Sequence, residues 1–182
     1  MFSSKIYGSW REIQFEKFEA IFEAIEELDV ELGLTLDLGA ANGFLKEFMV
    51  ARGIEAEVVA LDIDGDTLKL NPSEHLIVAD GNALPFGCEV FDSLFCIDVA
   101  HLLERLDISC VKDGGLVVLA LPYRHAEKFE KIKGQLDAEI AVEFVINGRE
   151  KEIVAIMFKV PQVSRRGASG TLPPSSRDFR SS

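Results

Sequence analysis

Leu36-Asp37-Leu38-Gly39-Ala40-Ala41-Asn42-Gly43 is an apolar run that meets glycine twice and then opens a segment of helical spacing, Gly43 to Arg52, with Gly53 as its C-terminal cap. It reads as a strand turning tightly into a helix. Glycine accepts positive φ and lets a ligand approach the backbone closely. Free N–H groups at the helix start favour an anionic or carboxylate-bearing ligand. A plain β–α turn with no ligand would look the same. A dinucleotide fingerprint would need glycine at 41 and a small residue at 44, where Ala41 and Phe44 stand. No Gly-Lys-Ser/Thr follows, so this is not a P-loop. What remains is an acid, Asp37, two residues before the first glycine.

Outward from this turn, short apolar runs recur at 34–38, 57–61, 75–79, 92–97 and 115–121, and Arg124 to Leu136 reads as a further helix. Strands alternating with helices predict an α/β fold, a doubly wound parallel sheet with right-handed crossovers. The pattern then changes. Residues 140–146 and 150–160 are β-rich and joined by Asn147-Gly148, the strongest short hairpin signal. Five parallel strands should therefore be followed by an antiparallel pair. Upstream, Ser9 and Glu12 form a capping box, and Phe15, Phe18, Ile21, Phe22, Ile25 and Leu28 make an amphipathic helix over 10–28. The expected organisation is an N-terminal helix or lid over 1–30, one domain over 31–163, and a Ser-, Gly-, Pro- and Arg-rich tail over 164–182 that reads as disordered.

The chain has 182 residues, enough for one domain with an ordinary core. Its net charge is −12, and four arginines with one aspartate in the last eighteen residues leave −15 on the body. Phosphate backbones would be repelled, which disfavours tight nucleic-acid binding. Cys88, Cys96 and Cys110 form no C-x-x-C pair and sit among apolar neighbours, as reduced thiols of a cytoplasmic protein would. No apolar run approaches the roughly 18 residues of a membrane span, and no signal pattern opens the chain.

Two more strand ends carry acids. Asp62 closes the run Val58-Val59-Ala60-Leu61, nineteen residues after Gly43, where a second parallel strand should finish beside the first. A carboxylate there can accept from two vicinal ribose hydroxyls. Asp62, Asp64 and Asp66 fail as a calcium loop, because Thr67 and Ser73 replace the required glycine and glutamate. An aspartate-nucleophile phosphatase fails too, since Asp80 follows too soon to be its later acidic pair. Asp64 and Asp66 otherwise read as a solvated turn. The third constellation is Asp80-Gly81-Asn82, followed by Leu84-Pro85-Phe86. An acid that accepts from an exocyclic amine, beside a backbone N–H donating to a ring nitrogen, suits an adenine edge. An ordinary loop closing the core is the plain alternative.

Taken together, these motifs resemble the class I S-adenosylmethionine-dependent methyltransferases, in particular the type 11 methyltransferase domain, over about residues 33–160. The resemblance implies a seven-stranded, Rossmann-like sheet ending in a C-terminal antiparallel hairpin, with S-adenosylmethionine as cofactor. It assigns Asp37, Gly39, Ala40, Ala41 and Gly43 to the methionine portion. Asp62 falls at the ribose-binding acid with Ile63 against the adenine, Asp80, Gly81 and Asn82 at the adenine loop, and Ile97 beside the cofactor at the end of the fourth strand. Phe91-Asp92 and Val111-Lys112-Asp113-Gly114-Gly115 are similar to the fourth strand and to the turn before the fifth. One departure is Ala41, which replaces the usual middle glycine and adds a Cβ next to the cofactor path.

Methyl transfer to an acceptor is an in-line displacement that proximity and alignment can largely drive, with a base needed only when the acceptor must lose a proton. His101 and Tyr123, after strands four and five, are the candidate catalytic residues; a helix-start histidine and a ring closing the sheet edge are the structural alternatives. Arg124 and His125 share that end of the sheet. Tyr7 and Trp10 could form a lid or simply anchor the first helix. Cys96-Ile97-Asp98-Val99 stands where base and glutamine amine methyltransferases carry Asn/Asp-Pro-Pro-Tyr. The expectation is a small-molecule acceptor, with no metal, no membrane and no nucleic acid, and with a homodimer or a partner protein left open. A non-catalytic, cofactor-binding subunit is the rival reading. A nicotinamide-dependent oxidoreductase fails on glycine spacing.

Overall fold

The computed structural model describes the backbone of residues 4–161, with side chains from Trp10 onward. Seven strands form one sheet: β1 Leu34–Leu38, β2 Glu57–Asp62, β3 His75–Val78, β4 Phe91–Ile97, β5 Val111–Pro122, β6 Ala138–Asn147 and β7 Lys151–Lys159. Their order is β3-β2-β1-β4-β5-β7-β6. The first five run parallel; β7 pairs antiparallel with both β5 and β6. The central strands are apolar on both faces because both are covered, as burial of Leu36, Leu38, Val58, Ala60, Leu94 and Phe95 shows.

On one face lie the helices α1 (Ser4–Glu26) and α2 (Phe44–Arg52). The aromatic stripe of α1 converges on Phe48 of α2, with Phe15, Phe18 and Phe22 at ring-centroid distances of 5.3, 5.5 and 5.3 Å. Such pairs are each worth about 0.5–1.5 kcal/mol beyond their burial. The other face is closed by α4 (Ala126–Lys133), which buries Phe129 and Ile132, and by the loops around Leu103, Leu106 and Ile108. Between β2 and β3 is a single turn of helix, α3 (Gly65–Leu68), capped by Asp64.

Several boundaries differ from expectation. Ser9 is not the start of α1, because Lys5-Ile6-Tyr7 have nothing that breaks a helix and the backbone coils from Ser4. The side chains of Tyr7 and Ser9 and the tail over 164–182 lie outside the described residues. The turn expected at 111–115 is part of β5, which runs back through a register irregularity opposite Phe91 and Ser93, with Gly114 at φ +76°. The Arg124–Leu136 helix is shorter: a 3₁₀ turn, Tyr123–His125, precedes α4. Cys96 and Cys110 are buried, but Cys88 is exposed on the loop before β4.

Strand order reverses between β1 and β4, and ligands of such sheets bind outside the carboxyl ends at that switch. Leu38 is paired with Cys96, so the residues that follow, Gly39 on one side and Asp98 on the other, leave the sheet as neighbours.

Candidate functional site

The loop after β1 is held in an unusual backbone shape. Gly39, Ala41 and Gly43 have φ of +79°, +43° and +84°. Gly39 and Ala40 both donate their N–H to Leu61 O, at 2.8 and 3.1 Å, which hooks the loop onto the end of β2. Ala41 N–H donates to Asp62 Oδ2 at 2.8 Å, and Asn71 Nδ2 donates to Ala41 O at 3.2 Å. Glycine is required at 39 for space as well as for φ: a Cβ there would lie 2.7 Å from the Val99 side chain. At Gly43, the N-cap of α2, it would lie 2.5 Å from Asn71 Oδ1.

Beside this loop is a cavity of about 220 Å³. Its floor is Asp37, Gly39, Ala40 and Ala41 with Ile97 and Asp98 across the switch point, and α1 roofs it with Trp10, Gln14 and Phe18. Asp37 is only 6% exposed. Burial pushes its carboxyl up to about 7, and the negative charge of Asp62 adds to the shift. Asp98 has φ +61°. Its Oδ2 accepts from Gln14 Nε2 at 2.8 Å and from Lys17 Nζ at 2.5 Å, while its Oδ1 is buried without a hydrogen-bond partner. Lys17 also sits 3.0 Å from Glu152 Oε1, at the start of β7, and both side chains are 2% exposed. Burial raises the Glu152 carboxyl to about 7, against the opposing pull of Lys17.

Sequence reasoning missed Gln14, Lys17, Asp98 and Glu152. The signal for Asp98 was present: like Asp37 and Asp62, it is an acid at the end of a buried strand. Gln14 and Lys17, three residues apart beside the aromatic stripe, carry a weaker signal. Nothing local marks Glu152.

The remaining expected residues lie along the carboxyl ends of β2 and β3. Asp62 Oδ1 accepts from Asp64 N–H at 2.9 Å, so each of its oxygens already holds one loop amide and keeps a lone pair to spare. Ile63 is 71% exposed. Asp80 Oδ1 accepts from Asn82 N and Nδ2 at 2.9 and 3.0 Å, and Asn82 Oδ1 accepts from Glu104 N–H at 2.8 Å. At Gly81, a Cβ would meet Leu103 at 2.9 Å. Asp64, in the acidic turn, accepts from the Thr67 hydroxyl and from the Thr67 and Asp66 amides, which hold its carboxyl below the usual range.

His101 and Tyr123 do not line the cavity. His101, in the 3₁₀ turn Ala100–Leu102, stacks on His125 with centroids 4.3 Å apart, and its Nδ1 is buried without a partner. Burial, followed by the charges of His125 and Arg124, lowers its pKa. Tyr123 is half-exposed, with the Lys151 ammonium 3.7 Å over its ring. A larger cavity, about 470 Å³, opens near Arg105, Asp107, Gln135 and Lys159 at the opposite end of the sheet. Lys159 donates to Val111 O and pairs with Asp113, and Arg105 pairs with Asp107, so its charges serve the fold.

Residues 36–117, from the core of β1 into β5, match the family model of the methyltransferase domain. Over that stretch, a little under half of the chain, the protein is similar to the S-adenosylmethionine-dependent methyltransferases. A malonyl-[acyl-carrier protein] O-methyltransferase of Methylococcus capsulatus is 32% identical over 108 residues, 56% of this chain and 39% of the relative. The chain thus spans about two-fifths of that relative's length. Among solved structures, the S-adenosylmethionine-dependent methyltransferase of Aquifex aeolicus superposes with a TM-score of 0.54 at 11% identity, over 74% of this chain and 88% of that one. A ribosomal protein L11 methylase of Lactobacillus delbrueckii gives 0.55 at 20%, over 77% of each chain. A chain in the complex of the Haloferax volcanii Trm112 methyltransferase activator gives 0.57 at 13%, over 84% and 97%. These structural likenesses are of fold.

The residues of this cavity fit S-adenosylmethionine. The cofactor carries a cationic sulfonium and an ammonium; the cavity offers the carboxylates of the buried Asp37 and the part-buried Asp98 beside the positive-φ loop. Its apolar surface is supplied by Ile97, Phe44 and Trp10.

Proposed function

We propose that this chain is an enzyme that moves a methyl group from S-adenosylmethionine to a small-molecule acceptor. The observation that carries the reading is the pair of carboxylates, Asp37 and Asp98, facing one cavity across the β1/β4 switch point beside a positive-φ loop. When bound, the cofactor supplies a methyl group on a sulfonium leaving group. The chain's part is to bind and orient. Asp37 and the Gly39–Gly43 loop hold the methionine end, the spare lone pairs of Asp62 receive vicinal hydroxyls, and Asp80 with Asn82 takes an amine edge, with Ile63 and Ile97 as apolar faces. The acceptor enters from the ends of β4 and β5. There His101, kept neutral at pH 7 by its lowered pKa, can take a proton, and the exposed Tyr123 can position the acceptor. Short connections at this end, the turns at 100–102 and 123–125, support a small acceptor. Free thiols at Cys88, Cys96 and Cys110 support a reducing, cytoplasmic setting. No described helix is long and apolar enough to cross a membrane.

The rival reading, a cofactor-binding subunit that works through a partner protein, is favoured by one feature. The outer strand β3 and its neighbours expose Leu76, Val78, Ile63 and Leu70, an apolar edge of the kind that receives another chain. Calorimetric titration with S-adenosylmethionine, S-adenosylhomocysteine and NAD, with Asp62→Ala as control, tests the cofactor. Micromolar binding of the first two, lost in the variant, is expected; binding of NAD alone would overturn the reading. Turnover by the isolated chain in an acceptor screen separates enzyme from subunit.

A further inference from the structure

The cofactor cavity has an excess of acid that the loop motif does not explain. Asp37 and Asp98 both line it, and Glu152 lies directly behind Asp98. Among the described residues, Lys17 is the cation within salt-bridge distance of this group, and it is shared between Asp98 and Glu152. One cation thus serves a cluster of three carboxyl groups, of which Asp37 and Glu152 are buried and Asp98 is part-buried. The hydrogen bonding of Asp98 is lopsided as well: Oδ2 takes both donors from α1, and Oδ1, fully enclosed, takes none. A buried carboxylate oxygen without a donor is costly. So is a non-glycine residue at φ +61°. A residue serving only to staple α1 to the sheet would need neither cost.

Resting on the cofactor reading above, we propose that Asp98 is a second carboxylate for the cationic end of the bound cofactor, with Gln14 and Lys17 of α1 as the positioning residues that hold it at the cavity wall. The charge that draws the ligand is then split between β1 and β4. The same side chain that meets the ligand also bonds the roof, so binding and closure of α1 share one carboxylate.

Three ligands separate the roles. S-adenosylmethionine carries ammonium and sulfonium, S-adenosylhomocysteine the ammonium alone, and methylthioadenosine neither. Calorimetry on the wild type, Asp98→Asn and Asp62→Ala is expected to show Asp98→Asn weakening the first two ligands at least tenfold and methylthioadenosine less than twofold. A loss confined to S-adenosylmethionine would place the carboxylate at the sulfonium, and an equal loss for the first two at the ammonium; each upholds the proposal. Equal weakening of all three, or of none, in a variant with unchanged thermal unfolding would overturn it. A wild type that binds none of the three would overturn the cofactor reading itself. Gln14→Lys provides a second test if Asp98→Asn does not fold. It sets a cation 2.8 Å from the same oxygen, and it should weaken the two amino-acid-bearing ligands while sparing methylthioadenosine.

Discussion

Ala41 donates its backbone N–H to Asp62 Oδ2 at 2.8 Å while held at φ +43°. The acid at the end of β2 therefore fixes the conformation of the loop at the end of β1, and two motifs twenty-one residues apart act as one unit. Removing the carboxylate in Asp62→Ala leaves the Ala41 and Asp64 amides without their charged acceptor. Bonds of this kind are worth about 1.5–3 kcal/mol. A loss of about that size in chemical denaturation is expected, with cofactor affinity falling by more than tenfold. Asp62→Asn, which keeps an acceptor oxygen, should recover part of the stability and less of the affinity.

Ala41 itself is strained. A left-handed conformation costs a side-chain-bearing residue about 1–2 kcal/mol, and glycine adopts it freely. Ala41→Gly should raise the unfolding free energy by roughly 1 kcal/mol after the extra freedom of the unfolded chain is subtracted. Because the Cβ also stands in the wall of the cavity, S-adenosylhomocysteine should bind at least as tightly as to the wild type.

Asp37 ties pH to stability and to binding in opposite directions. Its carboxyl, lifted by burial to about 7, binds a proton in the folded chain over a window, about pH 4 to 7, where the unfolded chain has released it. Stability therefore falls as pH rises through that window and is flat above it. Asp37→Asn should abolish this fall and be more stable at pH 8, by on the order of 4 kcal/mol or less. A cationic ligand favours the carboxylate, so affinity should climb from pH 6 to 7.5 with proton release, visible as a buffer-dependent binding enthalpy. In Asp37→Asn both the affinity and its pH dependence should be lost.

His101 is kept from taking a proton first by burial and then by the charge of the stacked His125. His125→Ala removes the ring that covers it as well as the charge. The His101 pKa, followed by NMR titration, should rise toward the ordinary value near 6.5. In the wild type, the lowered pKa means that stability is lost as pH falls below about 6.5.

The sheet was legible because buried strands ending in acids or glycine recur at regular spacing, and Asn147-Gly148 announced the antiparallel end. The hairpin loop itself spans residues 148–150, since Asn147 already pairs with Lys151. The start of α1 was not legible, because a capping box at Ser9 stops a helix only if the preceding residues resist coiling, and Lys5-Ile6-Tyr7 do not. The acceptor end was only half visible. His101 and Tyr123 are at the predicted strand ends, yet their side chains point to His125 and Lys151 and not into the cavity. Lys17, Asp98 and Glu152 share no spacing rule at all, since three distant segments meet only once the sheet is complete.

That meeting has a consequence for how the molecule comes into being. Lys17 belongs to the first helix, and its partner Glu152 to the last strand; Arg149 next to it pairs with Glu12. The roof of the cavity is therefore tied to the last described strand, across some 135 residues. During synthesis the glycine loop and its acids can form as soon as β4 emerges. The roof can already meet Phe48 and Asp98 at that stage, but its ties to Arg149 and Glu152 wait until β7 slots between β5 and β6. Contacts of such sequence separation form slowly, so a nascent chain that lacks β7 would hold its roof with fewer ties and leave Lys17 to Asp98 alone. The fully tied roof arrives last, with the strand that completes the sheet.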